Sequence, residues 1–177
     1  GHLCPDEQFA ITTISLTGLR VGEFLHMRRD WTDFSNDMLH VPAKQECHCY
    51  DCMKINKRDY WKPKTRSGKR DIPMYTNLGF PTAGLIKKFF ASHDRVMDVY
   101  ATRHSIWSVL QKVRESCRIP HKLFPHVLRG TYARDLAAKG FTIFELMSIF
   151  GWKDERVASA YIKFSGSELK RVGEAKI

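Results

Sequence analysis

The sequence predicts an α+β fold, a mostly helical domain with a small antiparallel β-sheet near its N-terminal third. Three observations predict it. Apolar residues recur at helical spacing from Phe9 to Leu16, the period falls toward two between Trp31 and Val41, and from Pro81 onward the apolar pattern is helical again. Strands gathered in one stretch, apart from the helices, argue against a doubly wound sheet. The chain of 177 residues has the length of one domain with a full core, expected over residues 3–177, with no internal repeat. Gly1-His2 resembles an expression scar and stays outside the fold reasoning.

Pro5-Asp6 opens the first helix, Phe9, Ile11, Ile14 and Leu16 supply its apolar positions, and Thr17-Gly18 closes it. A second helix is expected over 21–28, with Phe24, Leu25 and Met27 apolar. Trp31, Phe34 and Met38-Leu39-His40-Val41-Pro42 read as two short strands around the turn Ser35-Asn36-Asp37. Residues 43–61 are polar, charged and cysteine-rich, and read as an insertion. A basic turn over 64–69 leads into the strand Arg70-Asp71-Ile72-Pro73-Met74. Helices are expected over 83–92, 104–117, 127–139, 143–150 and 155–163, followed by a C-terminal tail over 165–177. Gly140 and Gly151 stand where helix ends favour glycine.

Composition narrows the function classes. A hydrophobic share of 43% and a charged share of 27% are those of a globular chain, which excludes dominant disorder. No apolar run approaches the roughly 20 residues that cross a bilayer, so no membrane association is expected. Leu3 to Gln8 is polar and contains Pro5, unlike a signal peptide. Lys plus Arg number 29 against 19 for Asp plus Glu, a formal charge of +10 that suits a nucleic-acid partner. The five cysteines are an odd count and three of them crowd between 47 and 52, unlike a secreted disulfide framework. A reducing interior is expected, cytoplasmic, and with a nucleic-acid partner nucleoid-associated.

Four segments hold residue types that can handle a phosphodiester. In Thr17-Gly18-Leu19-Arg20-Val21-Gly22-Glu23 an arginine opens a helix, where its guanidinium can grip a phosphate in two-pronged fashion, and Glu23 can brace it. Lys64 and Lys69 flank a glycine-containing turn that can project a cation into a groove. His126 and Arg129 share one helix face, pairing a proton-exchanging imidazole with a phosphate-binding guanidinium. Phe150-Gly151-Trp152 is followed nine residues on by Tyr161. Taken singly, each segment also reads as an ordinary surface pair, hairpin tip or core aromatic.

Taken together, and in this order, they resemble the tyrosine recombinase family, also called the phage integrase family, over nearly the whole chain. Thr17 to Glu23 resembles that family's first arginine box, Pro63 to Pro73 its β-hairpin lysine segment, His126 to Ala133 its second arginine box, and Phe150 to Tyr161 its terminal box with the nucleophile. Two positions depart from the pattern. The family often has a second histidine where Gly130 stands, and usually a histidine where Trp152 stands. Some members use Trp there, and an indole N–H can still donate to a phosphate oxygen.

The resemblance implies the catalytic domain of a site-specific DNA recombinase that cleaves and rejoins strands through a covalent 3′-phosphotyrosine. Tyr161 would be the nucleophile, and a phenol with a pKa of roughly 10 needs help at neutral pH. His126 would share its proton, Arg20 and Arg129 would clamp the non-bridging oxygens, and Trp152 would add an N–H. Lys64 would protonate the departing 5′ hydroxyl, with Lys69 as the alternative. These cations take the place of a metal ion, so catalysis is expected to need no cofactor. The implied partners are double-stranded DNA and further copies of the chain, forming a homo-oligomer on DNA, a tetramer in synapsis. The tail over 165–177 would dock on a neighbouring subunit. Family members carry an N-terminal DNA-binding domain ahead of this one; the sequence starts almost at the first arginine box and reads as the catalytic fragment. Two other readings share parts of the pattern: a type IB topoisomerase that relaxes DNA, and a non-catalytic zinc-stapled DNA-binding module.

Cys47-x-Cys49-x-x-Cys52 stands outside the family pattern. Three thiols this close suit a structural zinc, with His48, His40, Asp51 or a distant cysteine as fourth ligand. They also suit unbonded thiols, or a disulfide formed on oxidation. The cluster resembles integrases of archaeal mobile elements.

Overall fold

The computed structural model describes residues 3–75 and 81–162; the expected tail over 165–177 lies outside the described residues. The elements, in chain order, are α1 (Pro5–Thr17), α2 (Val21–Leu25), β1 (Thr32–Asp33), β2 (Met38–Val41), β3 (Gln45–Glu46), β4 (Tyr60–Trp61), β5 (Arg70–Pro73), α3 (Thr82–Phe90), α4 (Arg103–Ser116), α5 (Pro125–Ala138), α6 (Ile143–Phe150) and α7 (Glu155–Ile162). The mostly helical α+β class is as expected, and α6 covers the predicted residues.

α1 is the central helix. Pro5 takes its first turn, where the missing N–H costs nothing, and Glu7 reaches back to accept the Cys4 N–H at 2.9 Å. It packs against α3, α4 and α5, and Phe9 stacks on Phe89 of α3 with ring centroids 3.8 Å apart. α1 ends at Gly18 in the left-handed conformation, φ 62°.

α2 is shorter than the expected 21–28, ending at Leu25 with His26 as its cap. The reason is a long-range pull. The Val96 N–H donates to the Met27 carbonyl at 3.0 Å and Arg28 bridges to Arg95, so the chain leaves the helix to pair with the segment between α3 and α4.

β1, β2 and β5 form an antiparallel sheet in the order β1-β2-β5, with Leu39 opposite Ile72 and His40 opposite Asp71. Strand alternation sends Leu39, Val41, Arg70 and Ile72 inward and leaves His40 and Asp71 on the exposed face. An arginine therefore points into the protein from β5. Residues 43–61 contain more order than a polar insertion predicts. β3 and β4 pair antiparallel around one wide helical turn, Asp51–Ile55, so the cysteine-rich segment is a closed hairpin-like loop.

Gly18 yields a stability prediction. A β-carbon there would lie 2.5 Å from the Phe150 ring, on a backbone already at positive φ. Gly18→Ala is expected to cost about 1–2 kcal/mol for the left-handed backbone and about 1–3 more for overpacking, read by urea denaturation. Gly140→Ala, at φ +91° with nothing within 4 Å, should show only the backbone part. Equal losses at the two positions would mean that Phe150 does not pack on Gly18.

Candidate active site

The site is assembled on the ends of helices. Arg20 precedes the first turn of α2, where its own N–H and its Nη1 both donate to the Glu23 carboxylate at 2.8 Å. Glu23 is only 2% exposed, and its second partner is the inward-pointing Arg70, which donates from Nη2 at 2.8 Å and from Nη1 at 3.1 Å. Burial pushes the Glu23 carboxyl up, but the hydrogen bonds and charge of Arg70, with help from Arg20, outweigh it and hold the group below its ordinary value.

The remaining guanidinium donors meet carbonyls that helix geometry leaves without partners. Arg20 Nη2 donates to the Gly151 carbonyl at 3.4 Å and Arg70 Nε to the Ile149 carbonyl at 2.7 Å, both at the end of α6. Arg129, from the first turns of α5, donates Nη1 to the Gly18 carbonyl at the end of α1 and Nη2 to the Phe150 carbonyl. The negative ends of two helices thus hold a cluster of cations. Arg129 is 4% exposed; burial first, then the nearby Arg20 and Arg70 charges, push its guanidinium down to about 9. It remains charged at neutral pH, and a bound anion would relieve the repulsion among the three arginines.

Tyr161 belongs to the same cluster. Its ring stacks on Trp152 with centroids 5.1 Å apart and planes 5° from parallel, and Trp152 stacks in turn on Phe150 at 4.7 Å. The Arg129 guanidinium lies 5.0 Å from the Phe150 ring centroid and 5.8 Å from that of Trp152. Gly130 faces the phenol: a β-carbon there would stand 3.5 Å from the Tyr161 oxygen. The position where the family often has a second histidine thus faces Tyr161 in this chain.

Beside this cluster runs an open groove of about 640 Å³, lined by Arg20, Arg129, His126 and Lys64 and extended by Arg58 and Lys62. His126 and Lys64 are exposed in it, whereas Lys69 is exposed outside its lining. Of the six residues singled out in the sequence, four share the groove, and Trp152 and Tyr161 adjoin it through Arg129. Arg70 was missed, although its alternation with Ile72 on β5 carried the signal.

A second cluster lies at the far end of the groove. Cys47, Cys49 and Cys52 do converge, but the fourth member is His26, the cap of α2, with all ligand atoms within 4.8 Å of one another. The expected fourth ligands stand elsewhere: His48 bonds Glu46 at 2.9 Å, His40 bonds Asp71 at 2.7 Å, and Asp51 is outside the group. None of the five cysteines is in a disulfide. Burial pushes the Cys52 thiol strongly up, and hydrogen bonding to Cys49 and Cys47 adds to the shift.

A half-buried tyrosine beside clustered arginines, at the edge of a basic groove, is a constellation for handling an anionic ester. The chain matches the model of the phage integrase family over residues 6–167, and it belongs to that family. No curated protein sequence matches it. Among solved structures it is similar to XerA recombinase, at 16% identity and a TM-score of 0.69, covering 97% of this chain and 56% of that one. It is also similar to the integrase of transposon Tn1549 in complex with a circular intermediate DNA, at 17% identity and a TM-score of 0.73, covering 100% and 60%. A complex of that integrase with transposon right-end DNA gives 18% identity and the same TM-score of 0.73, with the same coverage of 100% and 60%. At these identities the likeness is one of fold, and the chain spans well under two thirds of the length of these structures.

Glu23 generates a pH prediction. Its folded pKa lies below the ordinary 4.5, so its contribution to stability is present above that value and is lost as pH falls through the lower, folded one. Glu23→Gln leaves Arg70 buried without a counter-charge and should cost about 3 kcal/mol or more at pH 7. Urea midpoints of the variant should also lose part of the wild-type decline below pH 4.5; an unchanged acid limb would mean that Glu23 is not ionised in the fold.

Proposed function

We propose that this chain is the strand-cleaving domain of a site-specific DNA recombinase, acting through a covalent 3′-phosphotyrosine. The observation that carries the reading is the packing of Tyr161, through Trp152, beside Arg129, while Arg129 and Arg20 grip neighbouring carbonyls at the end of α6. Each guanidinium spends only part of its donor set on the protein, and the rest can take non-bridging phosphate oxygens. The Tn1549 structures, which are complexes with DNA, support double-stranded DNA as the substrate.

In this reading the Tyr161 oxygen attacks phosphorus, the P–O5′ bond breaks, and the phosphate passes to the phenol as a 3′-phosphotyrosine. The proton leaving Tyr161 goes to His126, and the departing 5′ oxygen takes one from Lys64. The placement of Lys64 in the groove and Lys69 outside its lining favours Lys64 as the acid. Arg20 and Arg129 neutralise the charge of the five-coordinate transition state, and the Trp152 N–H adds a donor. The phosphotyrosine retains the ester's energy, so a 5′ hydroxyl from another strand can reverse the step and exchange strands without ATP. Strand exchange requires more than one copy on DNA, a tetramer in synapsis. The setting is the nucleoid in the cytoplasm.

The test uses a library of nicked suicide duplexes, from which the cleaved fragment diffuses away. Denaturing gels should show a protein–DNA adduct that disappears in Tyr161→Phe and falls by about 10²–10³ in rate in Arg129→Ala, the usual cost of losing one transition-state donor. DNA binding with no adduct from any duplex would overturn the reading in favour of a non-catalytic module. Lys64 has its own readout. A substrate whose bridging 5′ oxygen is replaced by sulfur expels a thiolate that needs no proton, so Lys64→Ala should be slow on the oxygen ester and restored on the sulfur ester. Restoration in Lys69→Ala instead would transfer the acid role.

A further inference from the structure

We propose that His26, Cys47, Cys49 and Cys52 form a structural zinc site that pins the cysteine loop to the end of α2, the helix that Arg20 caps and that carries Glu23. Zinc–sulfur bonds of about 2.3 Å and zinc–nitrogen bonds of about 2.0–2.1 Å put tetrahedral ligand atoms roughly 3.5–3.8 Å apart. His26 Nε2 lies 3.4 Å from the Cys49 sulfur and 3.5 Å from the Cys52 sulfur, and all four ligand atoms lie within 4.8 Å of one another. The set therefore needs only a small contraction to close on an ion.

The surroundings are those of a metal ligand shell. His26 Nδ1 donates to the Gly22 carbonyl at 2.7 Å, which leaves Nε2 as the nitrogen facing the sulfurs and fixes the ring plane. Trp61 stacks on the imidazole at 5.2 Å, and Gln45 Nε2 donates to the His26 carbonyl at 2.7 Å. The Cys52 N–H donates to the Cys49 sulfur at 3.4 Å, a contact that stabilises a thiolate. Three soft sulfurs and an imidazole select zinc over magnesium or calcium, and four protein ligands leave no open position for catalysis.

The tip of the loop has little else to hold it, because the contacts of Gln45, Glu46 and Trp61 with His26, Arg28 and Trp31 all lie at its base. Tyr50 and Ile55 are largely exposed, β3 and β4 are two residues each, and no disulfide crosses it. Yet Arg58 and Lys62 from this loop line the groove beside Arg20 and Lys64. The metal thus holds one basic wall of the groove in register with the catalytic helix.

Metal content tests the site and does not depend on DNA cleavage, so its failure is separate from failure of the recombinase reading. The full chain, purified without chelator and dialysed into metal-free buffer, should retain one zinc per chain by atomic emission. Cobalt substitution should give the intense visible bands of a tetrahedral thiolate site. Cys52→Ser and His26→Ala should each weaken retention by at least about 10–100-fold, the range that losing even a supporting contact costs. Zinc removal from the wild type should open the loop to trypsin at Lys54, Lys57 and Arg58 while the helical circular dichroism persists, and added zinc should restore protection. Absence of bound metal with no thiolate–cobalt bands, a disulfide within the trio in reduced preparations, or zinc retention unaffected by both substitutions would each overturn the assignment.

Discussion

The Glu23 carboxylate, buried between Arg20 and Arg70, is the interaction on which the rest of the site depends. A carboxylate removed from water is costly unless its oxygens are fully partnered, and here one backbone N–H and two guanidinium groups supply the partners. The same contacts join three parts of the chain that are far apart in sequence. Arg70 ties β5 to the end of α6 through the Ile149 carbonyl, and Glu23 ties both to the first turn of α2. Arg20 is consequently held in one place before any substrate arrives, which is the condition for a cation to act at a transition state without reorganising.

The arginines answer a second need of the fold. Helix ends leave carbonyls unpaired, and those of α1 and α6 come together at the centre of the molecule, where water cannot satisfy them. Arg129 closes both at once by bonding the Gly18 and Phe150 carbonyls, and Arg20 takes the Gly151 carbonyl. Residues that hold the fold together are thus the same residues that concentrate positive charge beside Tyr161. The stacked series Phe150, Trp152 and Tyr161 extends the arrangement outward, so that the phenol rests against aromatic rings on one side and a strong cation nearby.

The cysteine loop meets α2 at His26, which caps the helix at the end opposite Arg20, and its base is also held by Arg28 and Trp31. A five-residue helix with a cation cluster at its start and a Cys₃His cluster at its end is constrained at both termini. That accounts for how a helix too short to persist by itself keeps its place. It also joins the Arg20 side of the groove to the cysteine loop.

Much of this was legible in the sequence, for reasons that lie in local physics. Period, caps and glycine placement marked α1 and α6, because these helices satisfy their own backbone groups and display their apolar residues at regular spacing. Arg20, Lys64, His126, Arg129, Trp152 and Tyr161 were recognisable because the resemblance lies in short local segments. The two-residue strands β3 and β4 are too short to show a period, and the end of α2 was set by pairing with residues near Val96, which no local pattern encodes. His26 was hidden for the same reason, and for Arg70 the alternation on β5 gave its inward side but not its partner. Only packing across tens of residues brings Arg70 to Glu23 and His26 to three thiols. Residue types and local conformation were therefore determined by the sequence alone, because they follow from short-range sterics and hydrogen bonding. Which charges are buried together, and which histidine meets the cysteines, was decided only by tertiary structure, because those energies exist only once distant segments exclude water from between them.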